Sequence, residues 1–166
     1  GGGTLLAPIP PVLVSCGTME ESNIITIAWN GILNTKPPIA YISIRPSRYS
    51  YNIIKNSGEF IINLSTASMI KSVDYCGIYS GKKVDKFSKC NFTKYKSNKV
   101  NCPAIAESPL SLECKLLDII KFGTHHVFTA EIIGILVNDD LIDKSGKLHL
   151  ERADLAAFGH GEYYRL

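Results

Sequence analysis

The chain has 166 residues, 45% of them apolar and 20% charged, with a formal net charge of +3. This length suits one domain with a real core, and so small a positive charge gives no ground by itself for nucleic-acid binding, which uses a dense basic stripe. No window reaches the roughly 18 apolar residues of a membrane span, and the opening "GGGTLLAPIPP" lacks the basic and hydrophobic regions of a secretory signal, so a soluble cytoplasmic protein is expected.

In chain order, "IPPVLVSC" (residues 9–16) is β-branched and apolar with its prolines at the front, which predicts a first strand. After the polar turn "TMEES", the run "SNIITIAWNGI" is apolar on both faces, as for a strand buried on both sides or bearing a ligand on one. "KPPIAYISIRP" alternates Ile39, Tyr41, Ser43 and Arg45 against Ala40, Ile42 and Ile44, a third strand with one apolar face. Pro46 holds Arg45 extended and ends it. Ser47 is then placed to cap a helix that Gly58 closes, with Tyr49 and Ile53, or Ser50 and Ile54, at four-residue spacing.

"EFIINLS" reads as a short buried strand, and Thr66–Cys76 as a second helix with Ala67, Ile70 and Val73 on one face. The lysine-rich stretch 81–99 is aperiodic and reads as mostly loop. Its seven lysines and three aromatics resemble a single-strand nucleic-acid binder in composition only, since no folded stacking platform is evident; no nucleic-acid partner is expected. The remainder gives two long strands and a short one, "GKLHLE", joined by Gly and Asp/Asn turns. Six or seven strands with two inserted helices fit an antiparallel barrel or sandwich better than a doubly wound α/β sheet. No domain boundary is visible between residues 1 and 166.

The five cysteines are odd in number and form no C-x-x-C pair, so free thiols in a reducing compartment are expected. His125 and His126 are strand neighbours on opposite faces and cannot form one site. His160 lies between glycines, which allow close approach to a ligand; a structural C-terminal strand is the plainer reading. "HLE" and "HGE" lack a third ligand at metal spacing, and no metal site is expected.

The start of the first helix is the most informative feature. A helix N-terminus offers unpaired amides and partial positive charge, and here Arg45, Ser47, Arg48 and Ser50 surround it. Either these groups converge on an anion, or Ser47 merely caps the helix and the arginines face water. Local pattern leaves both open. A P-loop and a dinucleotide fingerprint are excluded, because neither G-x-x-x-x-G-K-[ST] nor G-x-G-x-x-G occurs.

The blocks "PVLVSCGT", "NIITIAWNGI", "PPIAYISIRPSRYSYNIIKNSGEFIINL", "VDYCGIYSGKKVDKF" and "HGEYYRL", in this order, resemble the flavin reductase-like family, the flavoredoxin type of FMN-binding proteins. The resemblance spans nearly the whole chain. It implies an all-β fold with inserted helices, an antiparallel Greek-key split β-barrel, usually a homodimer with one FMN per subunit. It also implies an oxidoreductase in which FMN takes a hydride from NADH or NADPH at N5, or else a non-enzymatic FMN electron carrier.

By position, Thr26, Ile27, Ala28 and Trp29 resemble the strand that lines the flavin ring. Trp29 has core packing as its alternative. Ser43, Arg45, Ser47, Arg48, Tyr49 and Ser50 resemble the segment for phosphate and ribityl chain. "SGKKVDKF" resembles a loop near the flavin mouth, which implies that Lys86, or Lys82 or Lys83, meets the cofactor or a substrate anion. No catalytic acid or base is expected, because the cofactor carries the chemistry.

Overall fold

The computed structural model describes residues 1–166. Strands β1 (Val12–Gly17) and β2 (Ser22–Ile27) precede β3 (Asn30–Thr35) and β4 (Pro38–Ile44), and helix α1 (Tyr49–Ser57) leads into β5 (Glu59–Asn63). Helices α2 (Ile70–Ile78) and α3 (Lys86–Lys89) come next, then short strands β6 (Lys94–Tyr95) and β7 (Ala104–Ile105). The long strands β8 (Leu110–Lys121) and β9 (His126–Val137) follow, and a hairpin of β10 (Ala156–Gly159) and β11 (Glu162–Arg165) ends the chain.

Seven strands form one sheet in the order β2-β1-β5-β8-β9-β4-β3, and every neighbouring pair is antiparallel. The sheet's two edges, β2 and β3, are separated in sequence only by Ala28 and Trp29. Three Cα steps of about 3.8 Å cannot cross an open seven-stranded sheet, so the sheet must curl until its edges approach. The result is the split barrel with inserted helices that the sequence resemblance implies, and the seam falls at Ala28–Trp29. What read as one strand, "SNIITIAWNGI", is therefore two strands on opposite edges, broken where the chain steps across.

The barrel interior holds Val12, Val14 and Cys16 of β1, Ile25 and Ile27 of β2, Ala40, Ile42 and Ile44 of β4, and Phe60 of β5, with Tyr51 and Ile54 of α1 packed among them. The alternation read in β4 is the burial found. The opposite faces of β1 and β2 carry Leu13 and Ile24, which pack under Met69, Val73, Cys76 and Phe87 from the α2–α3 side. Both faces are covered, which is why these strands are apolar throughout. Phe60 is fully buried, and Phe60→Ala would cost about 3–5 kcal/mol through lost transfer energy and the cavity left behind.

Two local expectations are corrected. The N-cap of α1 is Arg48, not Ser47: the Arg48 amide donates to the Arg45 carbonyl at 3.0 Å, so Pro46 and Ser47 form the middle of a turn before the helix starts. Gly58 does end that helix, in the left-handed conformation at φ 73°. "GKLHLE" forms no strand; Ile142 and Leu148 make a single bridge, and Leu150–Arg152 is a turn of 3₁₀ helix. The lysine-rich stretch is mostly loop, as expected, with the short α3 and β6 inside it, and Phe87 of α3 packs toward the α2 side.

Candidate functional site

A cleft of about 200 Å³ opens at the barrel seam. Its walls bring together Thr26, Ile27, Ala28 and Trp29 from β2 and the step beyond it, Ser43 and Arg45 from the end of β4, Arg48 from the following turn, and His125 from the approach to β9. Seven of the residues singled out in the sequence thus converge at one place although they come from two separate segments.

Each wall is fixed locally. Thr26 Oγ1 donates to the Val73 carbonyl at 2.5 Å, tying β2 to α2. That approach is close: a Cβ at Gly77 would lie 3.3 Å from Thr26 Cβ. The Ser43 amide donates to the Trp29 carbonyl at 2.9 Å, and Asn30 Nδ2 donates to the Ile27 carbonyl at 3.0 Å, which pins the step across the seam. The Trp29 ring is 38% exposed and stacks obliquely on His125, with centroids 4.6 Å apart and planes at 42°.

The cleft is positively charged at one end. Arg48 Nη1 donates to the Gly77 carbonyl at 3.0 Å, which orients the guanidinium and leaves its other donors for a ligand. Burial lowers the Arg48 pKa, yet arginine remains charged at any ordinary pH. Arg45 is exposed, and neither arginine belongs to any of the chain's ion pairs. The first turn of α1 has no side-chain cap, so its amides add donors at the same end. Burial, and then the charge of Arg45, lowers the His125 pKa, which favours a neutral ring at neutral pH.

The remaining candidates face elsewhere. Ser50 is 0% exposed, and its Oγ accepts from Asn23 Nδ2 at 2.7 Å. Lys86 is 2% exposed, and its ammonium donates to the Ile24 carbonyl at 2.7 Å and the Cys76 carbonyl at 2.9 Å. With no carboxylate partner, burial lowers its pKa to about 8. Lys86 therefore braces β2 against α2 from behind the cleft. Ser47 and Tyr49 are exposed and outside the cleft lining, while Lys82 and Lys83 line a separate groove beside Glu20 and Glu21.

His125 is the cleft residue that the sequence reading passed over. Strand alternation correctly sent the two histidines opposite ways: His126 Nδ1 meets Tyr51 Oη at 2.5 Å inside the fold, and His125 faces Trp29. His160 turns the β10–β11 hairpin at φ 48° and lines a second pocket of about 360 Å³ with Thr4, Ile9, Phe158 and Trp29. Trp29 is thus a wall shared by both cavities.

Residues 6–164 match the family model described as "Flavin reductase like domain". Flavoredoxin of Desulfovibrio vulgaris (Miyazaki F) is a similar solved structure, with TM-score 0.92 and 31% identity over 100% of this chain and 91% of that one. Flavoredoxin from Methanosarcina acetivorans gives TM-score 0.90 and 26% identity over 100% and 89%. An uncharacterized protein of Archaeoglobus fulgidus is 31% identical over 93% of this chain and 86% of its own. No helix is long and apolar enough to cross a membrane.

Proposed function

Because the chain belongs to the flavin reductase-like domain family, we propose that it is an FMN-dependent oxidoreductase, with NADH or NADPH as electron donor, and that the seam cleft holds the cofactor. The observation that carries this reading is the junction of two unpaired arginines and an uncapped helix start with a short apolar strand end in one cleft. That donor set fits the group. Arg45, Arg48 and the first amides of α1 would take the phosphate, with exposed Ser47 and Tyr49 as its outer contacts. Ser43 and the stretch from Thr26 to Trp29 would take the ribityl chain and the ring, whose polar edge needs main-chain donors and acceptors. Ser50 and Lys86 would act from behind, the first by holding Asn23 and the second by holding Ile24 and Cys76.

A bound FMN would supply the redox chemistry, hydride acceptance and onward electron transfer, which no side chain of this site provides. The chain's own residues do three things. The arginines balance the anion's charge in a partly desolvated site, the β2 end orients the ring, and Trp29 with neutral His125 keeps water from one side. The second pocket, which shares Trp29 with the cleft, is where the donor or the acceptor would dock.

At about 200 Å³ the cleft is smaller than most cofactor sites, which span about 300–1,000 Å³, and a second subunit would supply the missing wall. Exposed Ile120 and Phe122 lie at the end of β8, one turn before His125, and would form part of that homodimer contact. Sedimentation as a monomer at micromolar concentration would remove this part of the reading.

The decisive experiment is an anaerobic titration of the FMN-loaded protein with NADH and NADPH, followed by visible absorbance. Bleaching by either one supports the reductase. Tight FMN binding without bleaching supports the second reading, a non-enzymatic electron carrier, which the likeness to the two flavoredoxins favours.

A further inference from the structure

All five thiols are free, and three of them, Cys16, Cys102 and Cys114, are buried with no other thiol paired to them. The other two are different. Cys76 in the last turn of α2 and Cys90 at the end of α3 bring their sulfurs to 3.7 Å, although 14 residues separate them in sequence. We propose that Cys76 and Cys90 are a reversible dithiol–disulfide site that staples α3 to the end of α2 under oxidising conditions.

The geometry favours bond formation. A disulfide needs sulfurs about 2.05 Å apart, so each must move by less than about 1 Å. The moving partner is light: α3 has only four residues, and Asn91 just after Cys90 already adopts a left-handed φ of 54°. The two elements are also in register, because the Lys86 ammonium bonds the carbonyl of Cys76 itself at 2.9 Å. Closing the bond fixes the stretch that carries Gly77, whose carbonyl holds Arg48.

The two thiols have unequal access. Cys76 is fully buried, whereas Cys90 is partly exposed and is the one a small oxidant reaches. Burial pushes the Cys76 thiol up to about 12, while the Lys86 charge nearby works in the opposite direction. The order of events follows. The Cys90 sulfur gives up its proton and attacks one oxygen of hydrogen peroxide, the O–O bond breaks, and Cys90 becomes a sulfenic acid while the departing hydroxide takes up that proton as water. The Cys76 sulfur then attacks that of Cys90 and displaces its hydroxyl, which departs as water with the Cys76 proton. With hydrogen peroxide, two thiols give up two electrons and two protons and the peroxide becomes two waters.

This site does not depend on the flavin reading, and its test is run without flavin. The purified full-length chain is treated with hydrogen peroxide, denatured, titrated for thiols and mapped by peptide mass under non-reducing conditions. Free thiols should fall from five to three, the peptides of Cys76 and Cys90 should appear linked, and dithiothreitol should restore all five. The oxidised protein should melt about 6–12 °C higher, since the bond closes a loop of about 15 residues. Cys90→Ser should retain its other four thiols under the same treatment; if it fails to fold, Cys76→Ala provides the same comparison. Retention of all five thiols in the wild type would overturn the proposal. So would Cys90 ending as a sulfinic acid with Cys76 untouched, or a link that joins other cysteines or two chains.

Discussion

Two charged regions of this molecule are built on opposite plans. In the loop from Asp143 to Glu151, His149 donates or accepts at both ring nitrogens, with Asp143 and Glu151 each 2.7 Å away. Asp143 also accepts from the Ser145 amide at 2.8 Å, Ser145 Oγ at 2.6 Å and the Lys147 amide at 3.0 Å. The charges of Asp143, His149 and Glu151 are satisfied by one another and by neighbouring donors within the loop. At the seam, Arg45 and Arg48 have no carboxylate, and the helix start beside them has no side-chain cap. The first region uses its charges to hold itself together, and the second leaves donors available to something that arrives. Between them stands Lys86, a charge with carbonyl partners only, which serves the seam by bracing its back wall.

The contrast can be broken at either end. The largest effect should come from Arg45→Ala with Arg48→Ala, which removes two sets of charge-assisted hydrogen bonds worth about 1.5–3 kcal/mol each. FMN affinity should fall by about 100-fold or more. Quenching of flavin fluorescence measures it, and a loss under about threefold would mean the phosphate lies elsewhere. Next in size is Lys86→Met, which leaves the Ile24 and Cys76 carbonyls unpaired at about 1–3 kcal/mol each. Its urea midpoint should drop clearly; an unchanged midpoint would deny Lys86 the bracing role. His125→Ala removes the contact with Trp29, an aromatic pair worth about 0.5–1.5 kcal/mol, so FMN should bind up to about tenfold more weakly with stability nearly unchanged.

The smallest effect lies in the loop and is one of pH. The two carboxylates hold the His149 pKa above its ordinary value, and the hydrogen bonds to Asp143 and Glu151 hold theirs below. The histidine's contribution is whole below about pH 6.5 and fades as pH rises through its raised value. Those of the carboxylates are whole above about pH 4 and fade as pH falls through their depressed values. Amide exchange in residues 138–152 of wild type, corrected for intrinsic rates, should therefore be slowest in mildly acid solution. His149→Gln should flatten that dependence and leave FMN binding intact.

Much of this was legible in the residues themselves. Alternation in β4 named its buried face, Pro46 ended the strand, and Gly58 closed α1. The grouping of Arg48 with Trp29 was not a matter of local pattern, because it depends on the sheet curling until β2 and β4 meet, and it came into view only through whole-chain resemblance. The burial of Ser50 is readable from spacing: it shares a helix face with Ile54, and both are fully buried. Lys86 gave no such warning. A lysine is almost never fully buried, and only the α2–α3 packing, with carbonyls waiting for its ammonium, reverses that expectation. The thiol pair was equally hidden, since C-x-x-C spacing says nothing about cysteines brought together from two helices.

Trp29, the chain's only tryptophan, has one more consequence. Because it forms a wall common to both cavities, all indole emission from this protein originates at the seam. Quenching by iodide or acrylamide then measures how open that wall is, and energy transfer from indole to a bound yellow chromophore reports occupancy without any label. Every variant described above carries its own optical gauge.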